Sequence, residues 1–255
     1  MNYKLIAITV ILFSVQLAYT QDDSIKDKQK SNFIDISAGL ATGSLRDMGT
    51  SPLFYTAFLP AIDITYSGYF NKNLIQTSIS SYNGLLIRAT DDDFFTASAN
   101  TFNGEIFYYR HYSDYDDTGF KHYPGASLSN YTALRINNAF QNAAFSLDNI
   151  SSLNLNYMIT KDFTKREKQK KFLWLIKYTR KEKQYLASFK IGVPVYSLVY
   201  RQGFTNPGNS TLNSDILLPN YKFKSKVFSG LNTNLSLARV LKNGNMFRFT
   251  YYWDF

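Results

Sequence analysis

The last ten residues, Met246-Phe-Arg-Phe-Thr-Tyr-Tyr-Trp-Asp-Phe255, decide the fold. Phe247, Phe249, Tyr251, Trp253 and Phe255 fall on one side of a period-2 ribbon, and Arg248, Thr250, Tyr252 and Asp254 on the other. A strand with one all-aromatic face and one polar face carrying both charge signs cannot satisfy both in a single dry core. A barrel wall satisfies both, with hydrocarbon outside and a polar lumen inside.

The same two-faced pattern recurs upstream. Ile34, Ile36, Ala38 and Leu40 alternate with Phe33, Asp35, Ser37 and Gly39. Leu153, Leu155, Tyr157 and Ile159 alternate with Ser152, Asn154, Asn156 and Met158, and Leu231 to Leu237 repeats it against Asn232, Asn234 and Ser236. Between these lie further strands over 58–70, with Asp63 and Thr65 inward, 74–88, 101–112 and 184–201. Pro194 marks an end, an edge or a bulge within the last of them. Asn71-Lys72-Asn73 and Lys242-Asn243-Gly244-Asn245 read as tight reversals, the first of a type expected on a periplasmic rim. Phe120 to Ile150 fits one strand plus a long loop, or two strands. The expected fold is all-β: a transmembrane antiparallel up-and-down β-barrel of about ten strands (8 to 12), with a narrow lumen crossed by Asp35, Asp63, Arg248 and Asp254.

The terminal strand resembles the C-terminal assembly signal of Gram-negative outer-membrane β-barrel proteins, carried by Phe247, Phe249, Tyr251, Trp253 and Phe255. The resemblance implies an outer-membrane address, contact with outer-membrane lipid, and insertion by the barrel-assembly machinery. The N-terminus agrees. Lys4 precedes the apolar run Leu5 to Ala18, and Ala18-Tyr19-Thr20 offers small residues at a cleavage site before Gln21. An apolar run of about 14 residues suits a signal peptide and falls short of the roughly 20 that a spanning helix needs. The expected organisation is a signal peptide at 1–20, a short polar periplasmic segment at 21–31, and the barrel at 32–255. With Phe255 at the periplasm, the Asn243-Gly244 turn is extracellular and the long 202–226 segment periplasmic. Long loops normally lie outside, so either this barrel is atypical there or one more strand crosses between 184 and 226.

Composition fits an exported barrel. The mean hydropathy is −0.25, as expected where apolar and polar residues alternate and cancel. There is no cysteine, so no disulfide framework and no lipoprotein processing. Twenty Tyr and 21 Phe would supply two interfacial girdles; the competing use for them is the core of a secreted β-sandwich. The chain carries a net charge of +9, and +7 of it sits in Lys161 to Lys183, with ten basic and three acidic residues. Lys165, Arg166, Lys168, Lys170, Lys171, Arg180, Lys181 and Lys183 form either a solvated rim or a contact for lipid phosphates or an acidic envelope partner. Export removes the chain from nucleic acid.

Candidate chemistry is sparse. His111-Tyr112-Ser113 places an imidazole and a hydroxyl two residues apart on one strand face, which would allow general-base activation. It is similar to the His-x-Ser pair of outer-membrane lipid A deacylases, which are much shorter barrels. Asp91, Asp92 and Asp93 form an acidic loop tip with no histidine beside it in the sequence. No zinc spacing, phosphate loop or nucleotide fingerprint is present, and no cofactor is expected. The expected function is a non-enzymatic accessory or structural subunit of a larger outer-membrane assembly. A small solute pore comes second, and a lipid-modifying enzyme using His111 and Ser113 third.

Overall fold

The computed structural model describes residues 8–17, 32–46, 54–89, 94–112, 119–136, 145–164, 168–172, 176–180, 183–202, 221–241 and 245–254. Thirteen strands follow one another: β1 (Ile8–Leu17), β2 (Asn32–Arg46), β3 (Phe54–Phe70), β4 (Asn73–Ala89), β5 (Phe94–Arg110), β6 (Phe120–Ile136), β7 (Phe145–Asp162), β8 (Lys168–Phe172), β9 (Ile176–Arg180), β10 (Gln184–Gln202), β11 (Tyr221–Lys226), β12 (Asn232–Val240) and β13 (Met246–Asp254). β8 and β9 make a separate two-stranded hairpin between β7 and β10. All the other ladders are antiparallel, and β7 pairs with β10 while β13 pairs with β1, so the up-and-down wall returns on itself.

β11 and β12 share the same edge of β10. Gln184–Gly192 pairs with β12 and Ser197–Gln202 with β11. They are one strand interrupted at 227–231, where Phe228 takes a left-handed φ of 52°. The break faces the bulge in β10, where the β7 register shifts between Pro194 and Tyr196. Proline cannot donate to a ladder, and the bulge relieves that. Among the described residues between 184 and 226 there is no crossing besides β10 and the β11–β12 strand.

Ring closure fixes the dimensions. From Thr250 the register runs through Leu12, Gly39, Ala61, Tyr82, Thr101 and Ala133 to Asp148 in one direction. In the other it runs through Ser236 and Ser188 to Thr160, so the stagger along β7 is 12 residues. Ten wall strands with that stagger, spaced about 4.8 Å apart, tilt by about 40° and enclose a backbone radius of about 10 Å. Such a lumen is filled largely by its own side chains.

Several sequence expectations change. The tenth wall strand is β1, within the stretch read as a signal peptide. The open 120–150 stretch contains two strands, β6 and β7. The two-residue turn at Asn71-Lys72, with Asn71 at φ 55°, connects β3 to β4 on the rim opposite Asp254. Up-and-down order also puts Asn32, the β7–β10 connection with its basic hairpin, and the β12–β13 turn on that opposite rim. β4 ends and β5 begins on the Asp254 rim, as β10 ends and β11 begins there. Asn32 and the Asn71 turn therefore lie on the rim opposite Asp254.

Candidate functional site: the lumen

Parity along each strand separates two environments. Outward positions are apolar: Ile62, Ile79, Leu128, Leu155, Leu235 and Phe247 are each more than half exposed in the isolated chain. Inward positions are polar, with Asp35, Asp63, Gln76, Ser80, Ser127, Asn154 and Thr250 buried. A globular protein in water has the reverse arrangement. No helix among the described residues is long and apolar enough to cross a membrane.

The lumen is tied across its middle by two bonds. Lys190 on β10 donates from Nζ to Gln76 Oε1 on β4 at 2.8 Å, and Gln76 donates from Nε2 to Ser67 Oγ at 2.9 Å. The same ammonium stands 5.0 Å from the Phe107 ring centroid and 5.6 Å from that of Tyr109, so its charge meets two aromatic faces. Arg248 on β13 donates to Asp35 Oδ2 on β2 at 2.6 Å, passing over β1. Asp63 accepts from Thr65 Oγ1 at 3.0 Å and Ser37 Oγ at 3.4 Å. These groups border a cavity of about 550 Å³ that runs toward Gly119, Asp162 and Gln184 at the rim opposite Asp254.

Below this layer the interior closes. Ala41, Ala57, Ala61, Ala97 and Ala99 leave room for Tyr55, Tyr82 and Tyr252, an alternation of small and large that fills a tapering barrel. Farther round, Asp148 on β7 is almost fully buried between Arg135 on β6 and Arg201 on β10. Arg201 holds it in a fork, Nε to Oδ1 at 2.8 Å and Nη2 to Oδ2 at 3.1 Å. Asn154 donates to Ser127 at 3.0 Å and to Ser129 at 3.1 Å, while Ser127 donates to Glu105 at 2.7 Å. This is a hydrogen-bonded structural network in which Asn154 Oδ1 is left buried without a partner among the described residues; it rigidifies a wall more than it offers reactive groups.

Of the inward charges read from the sequence, Arg248 and Asp35 do meet; Asp63 is held by hydroxyls. Lys190, Arg135 and Asp148 were missed. Lys190 had a signal, because Ser188, Lys190 and Gly192 share a parity opposite to Phe189, Ile191 and Val193. Phe247, Phe249 and Trp253 are exposed on the outer face, with Tyr251 half-buried beside them; Phe255 lies outside the described residues. Among the basic residues, Lys168, Lys170 and Lys171 fall on β8 and Arg180 on β9, and Lys183 is exposed. Lys165, Arg166 and Lys181 lie outside the described residues, as do Ser113 and Asp91 to Asp93. His111 stacks near Tyr123, ring centroids 5.1 Å apart. On the outer face His122 Nδ1 and Tyr157 Oη are 2.9 Å apart.

Among the described residues no group of three or more His, Asp or Glu is placed to hold a metal ion. Comparison with protein-family models, with curated proteins and with solved structures finds no match.

Proposed function

We propose that the protein is an outer-membrane β-barrel acting as a non-enzymatic accessory or structural subunit of a larger envelope assembly. The observation that carries this is the pairing of an apolar exterior with a lumen crossed by the Lys190–Gln76 bond. Outward hydrocarbon is stable only against lipid or another protein, and a lumen crossed by bonded side chains is unsuited to bulk flow. Residues 1–20 would direct export and be removed near Thr20, and the terminal aromatic strand would engage the barrel-assembly machinery. The basic hairpin then supplies a contact for lipid phosphates or an acidic partner. Native purification in mild detergent tests the reading: a stoichiometric membrane partner supports it, and a lone barrel with steady single-channel current counts against it.

The cavity of about 550 Å³ favours a second reading, a small solute pore whose constriction is the Lys190 layer. A lipid-modifying enzyme using His111 and Ser113 is third, and loss of a deacylated lipid product in His111→Ala would be its signature.

A further inference from the structure

β1 is the strand that export would remove. Ile8 to Gln16 pairs with β13 at nine positions and Ile8 to Leu17 with β2 at ten. Each ladder is antiparallel, so β2 and β13 run parallel to one another, two strand spacings apart, about 9–10 Å. Without β1, nine wall strands remain in the ring, with two ladder edges facing each other. Direct closure would need a parallel seam in an otherwise antiparallel wall.

The lumen holds that slot at its width. Asp35 is opposite Gln16 and Arg248 is opposite Ser14, so their 2.6 Å bond bridges the slot from the inside. With β1 in place Asp35 is 4% exposed, and beside an empty slot its carboxylate keeps Arg248 as an ion-pair partner on the other edge. On the outside, Phe247 and Phe249 flank the slot from β13 and Ile34 and Ile36 from β2, all exposed. Two unpaired edges with apolar flanks form a template for strand addition.

We propose that cleavage after Thr20 turns the β2–β13 seam into an acceptor for a β-strand supplied by a partner envelope protein. The donor is a segment of about ten residues, antiparallel to both edges. Its lipid-side residues are apolar or aromatic. Its lumen-side residues are small or uncharged, because the Arg248–Asp35 bridge passes over them. This rests on the exported, accessory-subunit reading, and it gives that reading a docking surface.

The test uses the protein as purified from its membrane. Mass spectrometry first establishes whether residues 1–20 are gone. Hydrogen exchange is then followed at the amides of 34–43 and 247–254, with and without a synthetic peptide of residues 7–18 as donor. A cleaved chain should exchange the slot-facing amides at least tenfold faster than those of β4 and β5. The peptide should slow them at least tenfold, and a scrambled peptide should not. A chain that keeps residues 8–17, or edges already protected in the lone cleaved chain, overturns the proposal. Sedimentation with membranes is scored separately: a cleaved chain outside the membrane ends the outer-membrane reading while leaving the exchange result to decide the slot.

Discussion

Asp148 gives the sharpest energetic prediction, because its two arginines differ in one variable. Their distances to the carboxylate are both those of contact ion pairs, but the Arg135 side chain is 10% exposed and that of Arg201 51%. Arg135→Met removes the buried partner and leaves a 2%-exposed carboxylate to the half-solvated one. Breaking a buried pair costs about 3–5 kcal/mol; with Arg201's fork still in place, about 3 kcal/mol is the expected loss. Arg201→Met removes a solvent-screened partner, which is worth about 0.5–1 kcal/mol. Both variants are unfolded from lipid vesicles in urea with tryptophan fluorescence as the readout. With an m-value of about 2 kcal/mol/M, Arg135→Met should lower the midpoint by about 1.5 M and Arg201→Met by less than about 0.5 M. Equal losses in the two variants would refute the claim that burial sets the value of this pair.

Ile79 is 63% exposed on the outer face, so Ile79→Lys would be nearly neutral in water; against lipid it should cost about 2–4 kcal/mol in the same vesicle assay. Lys190→Ala with Gln76→Ala should turn a barrel without steady current in planar bilayers into one with discrete openings, and unchanged current would show that another layer closes the lumen. At Gly125 an added Cβ would overlap the Tyr108 carbonyl oxygen and the Tyr109 ring; Gly125→Val should destabilise the barrel by about 1–3 kcal/mol in urea melts, with most of the loss in the β5–β6 ladder by hydrogen exchange. Replacing Lys168, Lys170 and Lys171 by Gln should weaken binding of the purified protein to anionic vesicles roughly 100-fold at low salt, at about 1 kcal/mol per charge, and leave neutral vesicles unaffected.

Strand content was legible wherever the two faces differ strongly. The alternations at 34–40, 153–159 and 231–237 lie on β2, β7 and in and beside β12, and the proline in β10 sits at its bulge as expected. The 120–150 stretch stayed open because Pro124 and Gly125 look like a break. In the fold both are accommodated inside β6, where the missing side chain of Gly125 makes room for Tyr109. β1 was illegible for a physical reason: a mostly apolar run near a basic N-terminus reads as a signal peptide whether or not its backbone can also join a sheet. The lumen was half legible. Parity identified Arg248 and Asp35 as inward, but which charges meet depends on stagger, and the 12-residue offset is a property of the whole ring.

The wall is of uneven height. β13 has nine residues and β1 ten, whereas β3 to β6 have 17, β7 has 18 and β10 has 19. At about 3.3 Å per residue and a 40° tilt, β13 stands about 23 Å tall and the 17-residue strands about 43 Å. The long strands therefore overtop β13 by about 20 Å on the Asp254 side. There Asn130, Thr132, Asn149 and Ser151 hydrogen-bond to one another on the outer surface of β6 and β7, with Asn130 Nδ2 to Ser151 Oγ at 2.8 Å and Asn149 Nδ2 to Thr132 Oγ1 at 2.8 Å. The uneven height gives the rim a front and a back: the described wall is low over the β13–β1 sector and high over β3 to β10.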